Sequence, residues 1–121
     1  MANELNVQVV AADRSVWSGT AESLVAKTTE GEIGILAGHE PVLALLAPGV
    51  VRVKVSATET VSAAVPGGFL SMSEDTVMVL AEQVTLANEV NRSELERERD
   101  AAEDDESRRW AETRLQLVAE R

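Results

Sequence analysis

Val51-Arg52-Val53-Lys54-Val55 alternates apolar and charged residues with a period of two. Successive side chains of an extended strand point to opposite faces, so the three valines share one face and the two cations the other. The same alternation runs through Leu5-Asn6-Val7-Gln8-Val9, and Val61, Ala63 and Val65 line one face around Ser62 and Ala64. Val77-Met78-Val79-Leu80-Ala81 is apolar on both faces, which predicts a strand covered on both sides. Gly31, Gly34, Gly38, Gly49 and the Pro66-Gly67-Gly68 turn interrupt the chain at short intervals. Many short strands with frequent turns predict a sandwich or a barrel. Composition changes near Ala87: all seven glycines and all three prolines precede it, and Arg and Glu dominate after it. The expected organisation is a β domain over residues 1–87 followed by a helical segment over 88–121.

That segment carries two overlapping capping signals, Asn91 with Glu94 and Ser93 with Glu96. Its first part is thin in apolar residues, with Leu95, Ala101 and Ala102. The run Glu103-Asp104-Asp105-Glu106 offers a break, and a second helix starts at Asp105 or Ser107. In it Trp110, Arg114 and Leu117 fall on one stripe and Ala111, Leu115 and Val118 on the next, a genuine apolar face. The class is therefore α+β: a sandwich or barrel of short strands followed by a two-helix hairpin. Helices this short depend on docking, and a β domain this small needs a partner surface or the tail to complete its burial.

The chain of 121 residues has 11 Lys plus Arg against 21 Asp plus Glu, a net charge of -10, and 2% aromatics. Phosphate backbones repel such a chain and bases find few stacking platforms, so nucleic acid is not an expected partner. Cysteine is absent, which removes thiol chemistry and thiolate metal sites. No apolar run reaches the roughly 18 residues of a membrane span, and Met1-Ala2-Asn3-Glu4-Leu5 has the character of neither a signal nor a transit peptide.

The one histidine, His39, sits in Gly38-His39-Glu40-Pro41 and has no second histidine to share a metal. Its pairing with Glu30, Glu32 or Glu40 would make an acid–base couple, but a turn anchor or partner contact is the better reading. The serines occupy no nucleophile elbow, no phosphate-binding glycine loop follows a strand, and Gly67-Gly68-Phe69 reads as a hairpin turn. Residues 103–106 lack the alternating ligand spacing of a calcium loop. A hydrolase using His39 is the reading these residues support least.

The segment Gly31-Glu32-Ile33-Gly34-Ile35-Leu36-Ala37-Gly38-His39-Glu40-Pro41 resembles the signature of the ATP synthase epsilon subunit family, Gly-(Glu/Asp)-Ile-Gly-Ile-Leu-Pro-Gly-His-x-Pro. Val16-Trp17-Ser18-Gly19, Pro48-Gly49-Val50, Gly67-Gly68-Phe69 and Leu80-Ala81-Glu82 match in order around it, and Ala37 departs from the family's usual proline. The resemblance covers nearly the whole chain. It implies a sandwich of about ten strands and two C-terminal helices, in a non-catalytic rotor subunit of an F-type ATP synthase. The implied partners are the gamma subunit, the c-ring and, through the helices, the alpha/beta catalytic ring, where the extended hairpin blocks ATP hydrolysis. The implied location is peripheral, on the cytoplasmic face of a bacterial plasma membrane.

The expected partner-binding residues are Glu30, Gly31, Glu32 and His39 toward the c-ring, and Arg108, Arg109 and Arg114, with Arg121 beyond them, toward stalk or ring. Some family members bind ATP through (Ile/Leu)-Asp-x-x-Arg-Ala. Here Asn91 stands for the Asp, Glu94 for the Arg and Leu95 for the Ala. Glu for Arg reverses the charge a triphosphate would meet, so no cofactor is expected and nucleotide sensing by the same fold is kept as the alternative.

Overall fold

The computed structural model describes residues 4–120; Arg121 lies outside them. Ten strands come first: β1 (Leu5–Ala11), β2 (Arg14–Ala21), β3 (Ser23–Thr28), β4 (Gly31–Leu36), β5 (Val42–Leu46), β6 (Gly49–Lys54), β7 (Thr60–Val65), β8 (Gly68–Ser73), β9 (Thr76–Ala81) and β10 (Thr85–Leu86). They follow the hydrogen-bonded path β10-β7-β6-β3-β5-β8-β9-β1-β2, with β4 on the other side of β3. The join between β3 and β5 is a single register pair, Thr28 with Leu46. The path folds over there into two layers, β4-β3-β6-β7-β10 and β5-β8-β9-β1-β2. All pairings are antiparallel except β1 with β9.

Alternation decides which side chains meet between the layers. Leu5, Val7 and Val9 from β1, Val51 and Val53 from β6, Ala63 and Val65 from β7, and Val77 and Val79 from β9 all enter one core with Leu24, Ile35, Leu70 and Met72. Arg52 and Lys54 point outward as their spacing requires. Two expectations fail. Met78 and Leu80 of β9 are exposed, so that strand is covered on one face only. Pro66-Gly67-Gly68 is not a hairpin turn: β7 pairs with β6 and β10, while β8 pairs with β5 and β9. The turn instead carries the chain from one layer to the other. At Gly68, with φ of 137°, a Cβ would collide with the Leu80 carbonyl oxygen, so the crossing needs a glycine.

A 3-10 turn, Ala87–Glu89, leads into α1 (Arg92–Ala101) and α2 (Asp105–Leu115), and a second 3-10 turn, Gln116–Glu120, ends the described chain. Asn91 caps α1 by accepting from the Glu94 amide at 3.1 Å, and Asp104 caps α2 by accepting from the Ser107 amide at 2.7 Å. The Ser93–Glu96 alternative is not used as a cap, because Ser93 already lies within α1. Leu117 is carried by the 3-10 turn rather than by α2, and is fully buried there.

The hairpin lies on the outer face of β6 and β7. Val90, Leu95 and Leu117 form a second core with Val50 and Ala64, flanked by Trp110, Leu115 and Val118. Val50 pairs with Ala64 and Arg52 with Ser62 across the two strands, so all four share that outer face. Ala64 and Ser62 are small enough to form a floor on which the tail rests.

Candidate functional site

The layer facing away from the hairpin leaves an apolar surface open. In β5, β8 and β9 one set of side chains enters the core, and the other carries Leu43, Leu45, Phe69, Met78 and Leu80. Register brings these together: Leu45 opposes Phe69, which opposes Leu80, while Leu43 and Met78 both oppose Ser71. The five are between 37% and 74% exposed. A contiguous patch of large apolar side chains marks a binding surface. The sequence held its signal, since Val77–Ala81 is apolar on both faces, but periodicity cannot say what covers the second face.

The structure divides the expected 30–41 site. Thr29 and Glu30 form the turn between β3 and β4, and Gly31 and Glu32 open β4, all exposed. Thr28 Oγ1 donates to the Gly31 carbonyl at 2.6 Å and accepts from the Glu30 amide at 3.1 Å, and Gly31 takes a φ of 122° to close the turn. His39 lies beyond the other end of β4. Six extended residues separate the two ends by about 17 Å, so no acid–base couple of His39 with Glu30 or Glu32 is formed. The His39 ring binds its neighbour's backbone, Nδ1 to the Glu40 carbonyl at 2.7 Å, so Nδ1 carries the proton. The loop is fixed by the Gly38 amide donating to the Asp75 carboxylate at 2.7 Å. The His39 ring thus braces its own loop through the neighbouring backbone.

The hairpin arginines also separate. Arg114 pairs with Glu98 of α1 at 2.8 Å, and its guanidinium lies 4.9 Å from the centre of the Trp110 ring. In the docked hairpin it is engaged by these internal contacts. Arg108 pairs with Asp105 one turn back at 3.3 Å. Arg109, by contrast, has no carboxylate within ion-pair distance among the described residues.

Three side-chain contacts the sequence did not foretell tie the tail down. Trp110 Nε1 donates to Gln83 at 3.1 Å. Arg14 reaches both Glu89 oxygens at 3.4 Å. Glu120 accepts two bonds from Arg52 at 3.0 Å and one from the Ser62 hydroxyl at 2.8 Å. The Arg52 bonds hold the Glu120 carboxyl below the usual carboxylate range, against the opposing effect of burial.

The groove beside α1, where the nucleotide motif would map, is lined by Glu89, Asn91, Glu94 and Glu98 with Arg97 and Arg114. Asn91 is engaged as a cap and Arg114 by Glu98. Among the described residues no helix is long and apolar enough to cross a membrane.

Residues 4–87 match the family model described as the ATP synthase delta/epsilon chain, beta-sandwich domain. The ATP synthase epsilon chain of Streptomyces avermitilis is 48% identical over 124 aligned positions, covering 100% of both chains. That of Corynebacterium jeikeium is 44% identical, covering 95% of this chain and 94% of the relative. Among solved structures, a chain in the OSCP/F1/c-ring assembly of Euglena gracilis mitochondrial ATP synthase superposes with a TM-score of 0.72 at 22% identity, covering 93% of this chain and 75% of that one. At that identity the likeness speaks for the fold.

Proposed function

This chain belongs to the ATP synthase epsilon-chain family, and from that premise we propose that it is a non-catalytic rotor subunit of the central stalk of an F-type ATP synthase. It couples c-ring rotation to ATP synthesis, and its C-terminal hairpin restrains ATP hydrolysis. The observation that carries the reading is the division of labour between the two outer faces. One layer presents Leu43, Leu45, Phe69, Met78 and Leu80 to a permanent partner. The other holds the hairpin by a small second core, separate from the sandwich core. In this reading the apolar face seats against gamma, and the exposed Glu30-Gly31-Glu32 turn faces the polar loops of the c-ring. The released hairpin offers Arg108, Arg109 and, once freed from Glu98, Arg114 to the alpha/beta ring. The subunit is peripheral, on the cytoplasmic face of a bacterial plasma membrane, and takes no cofactor.

A fixed stalk contact and a detachable one call for different tests. Cysteine in place of Phe69 should crosslink to gamma in assembled enzyme, and cysteine at Glu30 or Glu32 to the c-ring. Removing residues 89–121 should leave assembly intact and raise ATP hydrolysis by the complex. Unchanged hydrolysis would overturn the inhibitory part, and failure of the Phe69 crosslink in a coupled complex would overturn the stalk placement.

Nucleotide sensing is disfavoured by the three carboxylates lining the α1 groove, with Arg114 already paired. A triphosphate entering there would meet like charge. Calorimetry of the isolated chain with ATP should show no micromolar binding, and such binding, lost on changing Arg97 or Arg114, would reinstate the sensing role.

A further inference from the structure

The hairpin is joined covalently to the sandwich at β10, so the turn Ala87–Glu89 and the start of α1 stay near the sheet whatever the rest does. The far side of the hairpin has no such tether. α2 reaches the sandwich through Trp110 on Gln83, and beyond α2 the second 3-10 turn holds the sheet through Leu117 in the small core and Glu120 on Arg52 and Ser62.

We infer that Glu120, clamped by Arg52 of β6 and Ser62 of β7, is the latch that closes the docked hairpin, so that opening this one contact starts release of the whole element. The inference rests on the hairpin being detachable, as proposed above.

Its geometry suits a latch. The two Arg52 bonds come from Nε and Nη2 in the forked arrangement that matches a carboxylate, and the serine hydroxyl supplies a third. The contact bridges two sheet strands and the tail, 68 and 58 residues away along the chain. Arg52 remains 44% exposed. On opening, water rehydrates the guanidinium and carboxylate readily, so the clamp holds by geometry without trapping the released state behind a buried charge. The other tail ion pairs differ. Arg114–Glu98 joins the two helices to each other and not to the sheet, and Arg14–Glu89 sits beside the covalent junction. Among the described residues Glu120 makes the one ion pair between the untethered end of the tail and the sheet.

The test uses the isolated full-length chain and site-resolved amide hydrogen exchange. Glu120→Ala should lower protection of α1, α2 and the second 3-10 turn about tenfold, leaving β1, β8 and β9 within twofold of the parent. Exchanging the charges, Arg52→Glu with Glu120→Arg, should restore most of the hairpin protection that either single change removes. An unchanged hairpin would overturn the latch. So would an equal loss in sandwich and hairpin, which would mark a contributor to global stability, or a charge exchange no better than the single variants. Hydrolysis by the assembled complex carrying Glu120→Ala separates this inference from the one beneath it. A loosened hairpin with unaltered hydrolysis leaves the latch standing and removes the inhibitory role, whereas an unloosened hairpin removes the latch whatever hydrolysis does.

Discussion

Gly68 and Gly34 show how differently two glycines of one sandwich act. Gly68 has a φ of 137°, and an added Cβ would strike the Leu80 carbonyl oxygen and lie 3.0 Å from Ala81 Cα. Gly68 opens β8 directly beside β9, to which that strand is hydrogen-bonded, so neither backbone can yield cheaply. Gly68→Ala should cost on the order of 2 kcal/mol or more in urea denaturation. At Gly34 nothing lies within 4 Å and φ is ordinary, so Gly34→Ala should move stability by less than about 0.5 kcal/mol. Glu120 makes a pH prediction at the same scale. Arg52 chiefly, and Ser62 with it, lower its native pKa below the ordinary 4.5, and burial opposes them. A carboxyl with a depressed folded pKa contributes stability that is present above its unfolded pKa and disappears as pH falls through the folded one. Hairpin protection should therefore hold above pH 4.5 and decline below it. Glu120→Gln should flatten that decline.

At the scale of elements, the helices owe their ends to single side chains and their existence to docking. Asn91 satisfies the Glu94 amide, and Asn91→Ala should cost about 1 kcal/mol of α1 stability, seen as faster exchange in its first turn. Leu117 is fully buried in the second core. Leu117→Ala removes three carbons from a site roofed by a thin element, and a loss of roughly 2–4 kcal/mol is expected. That exceeds what a few anchors supply, so the variant should undock the hairpin while β1 and β9 keep their protection. Near-ultraviolet dichroism of Trp110, which borders the same core, reads the undocking directly.

For the whole molecule, the two outer faces have opposite fates under substitution. Phe69→Glu places a charge amid Leu45 and Leu80, on a face open to water in the isolated chain. The isolated protein should keep its melting temperature within a few degrees. On the proposed seating of this face against gamma, co-purification with gamma should fall by at least tenfold, because the charge would have to be desolvated there. The same change at Ala64, beneath the hairpin, should instead release the tail, since that site is fully buried within the chain.

The alternation in Leu5–Val9, Val51–Val55 and Val61–Val65 settled which side chains enter the sandwich core, because strand geometry is local and its period is two. The glycine-free charged stretch, with capping signals at Asn91 and Ser93 and a break at 103–106, likewise determined a pair of helices, since an N-cap acts within three residues, while the structure decided that Asn91 and Asp104 are the caps. Alternation could not tell that Met78 and Leu80 would be left open or that Ala64 would be sealed. Both lie on outer faces, and whether an outer face is covered depends on which layer receives the hairpin. Nor could spacing reveal that Glu30 and His39 stand at opposite ends of β4, or that Glu120 meets Arg52 across 68 residues. Those contacts arise from the path folding over at Thr28 and Leu46 and from the tail crossing β6 and β7, arrangements that no local period encodes.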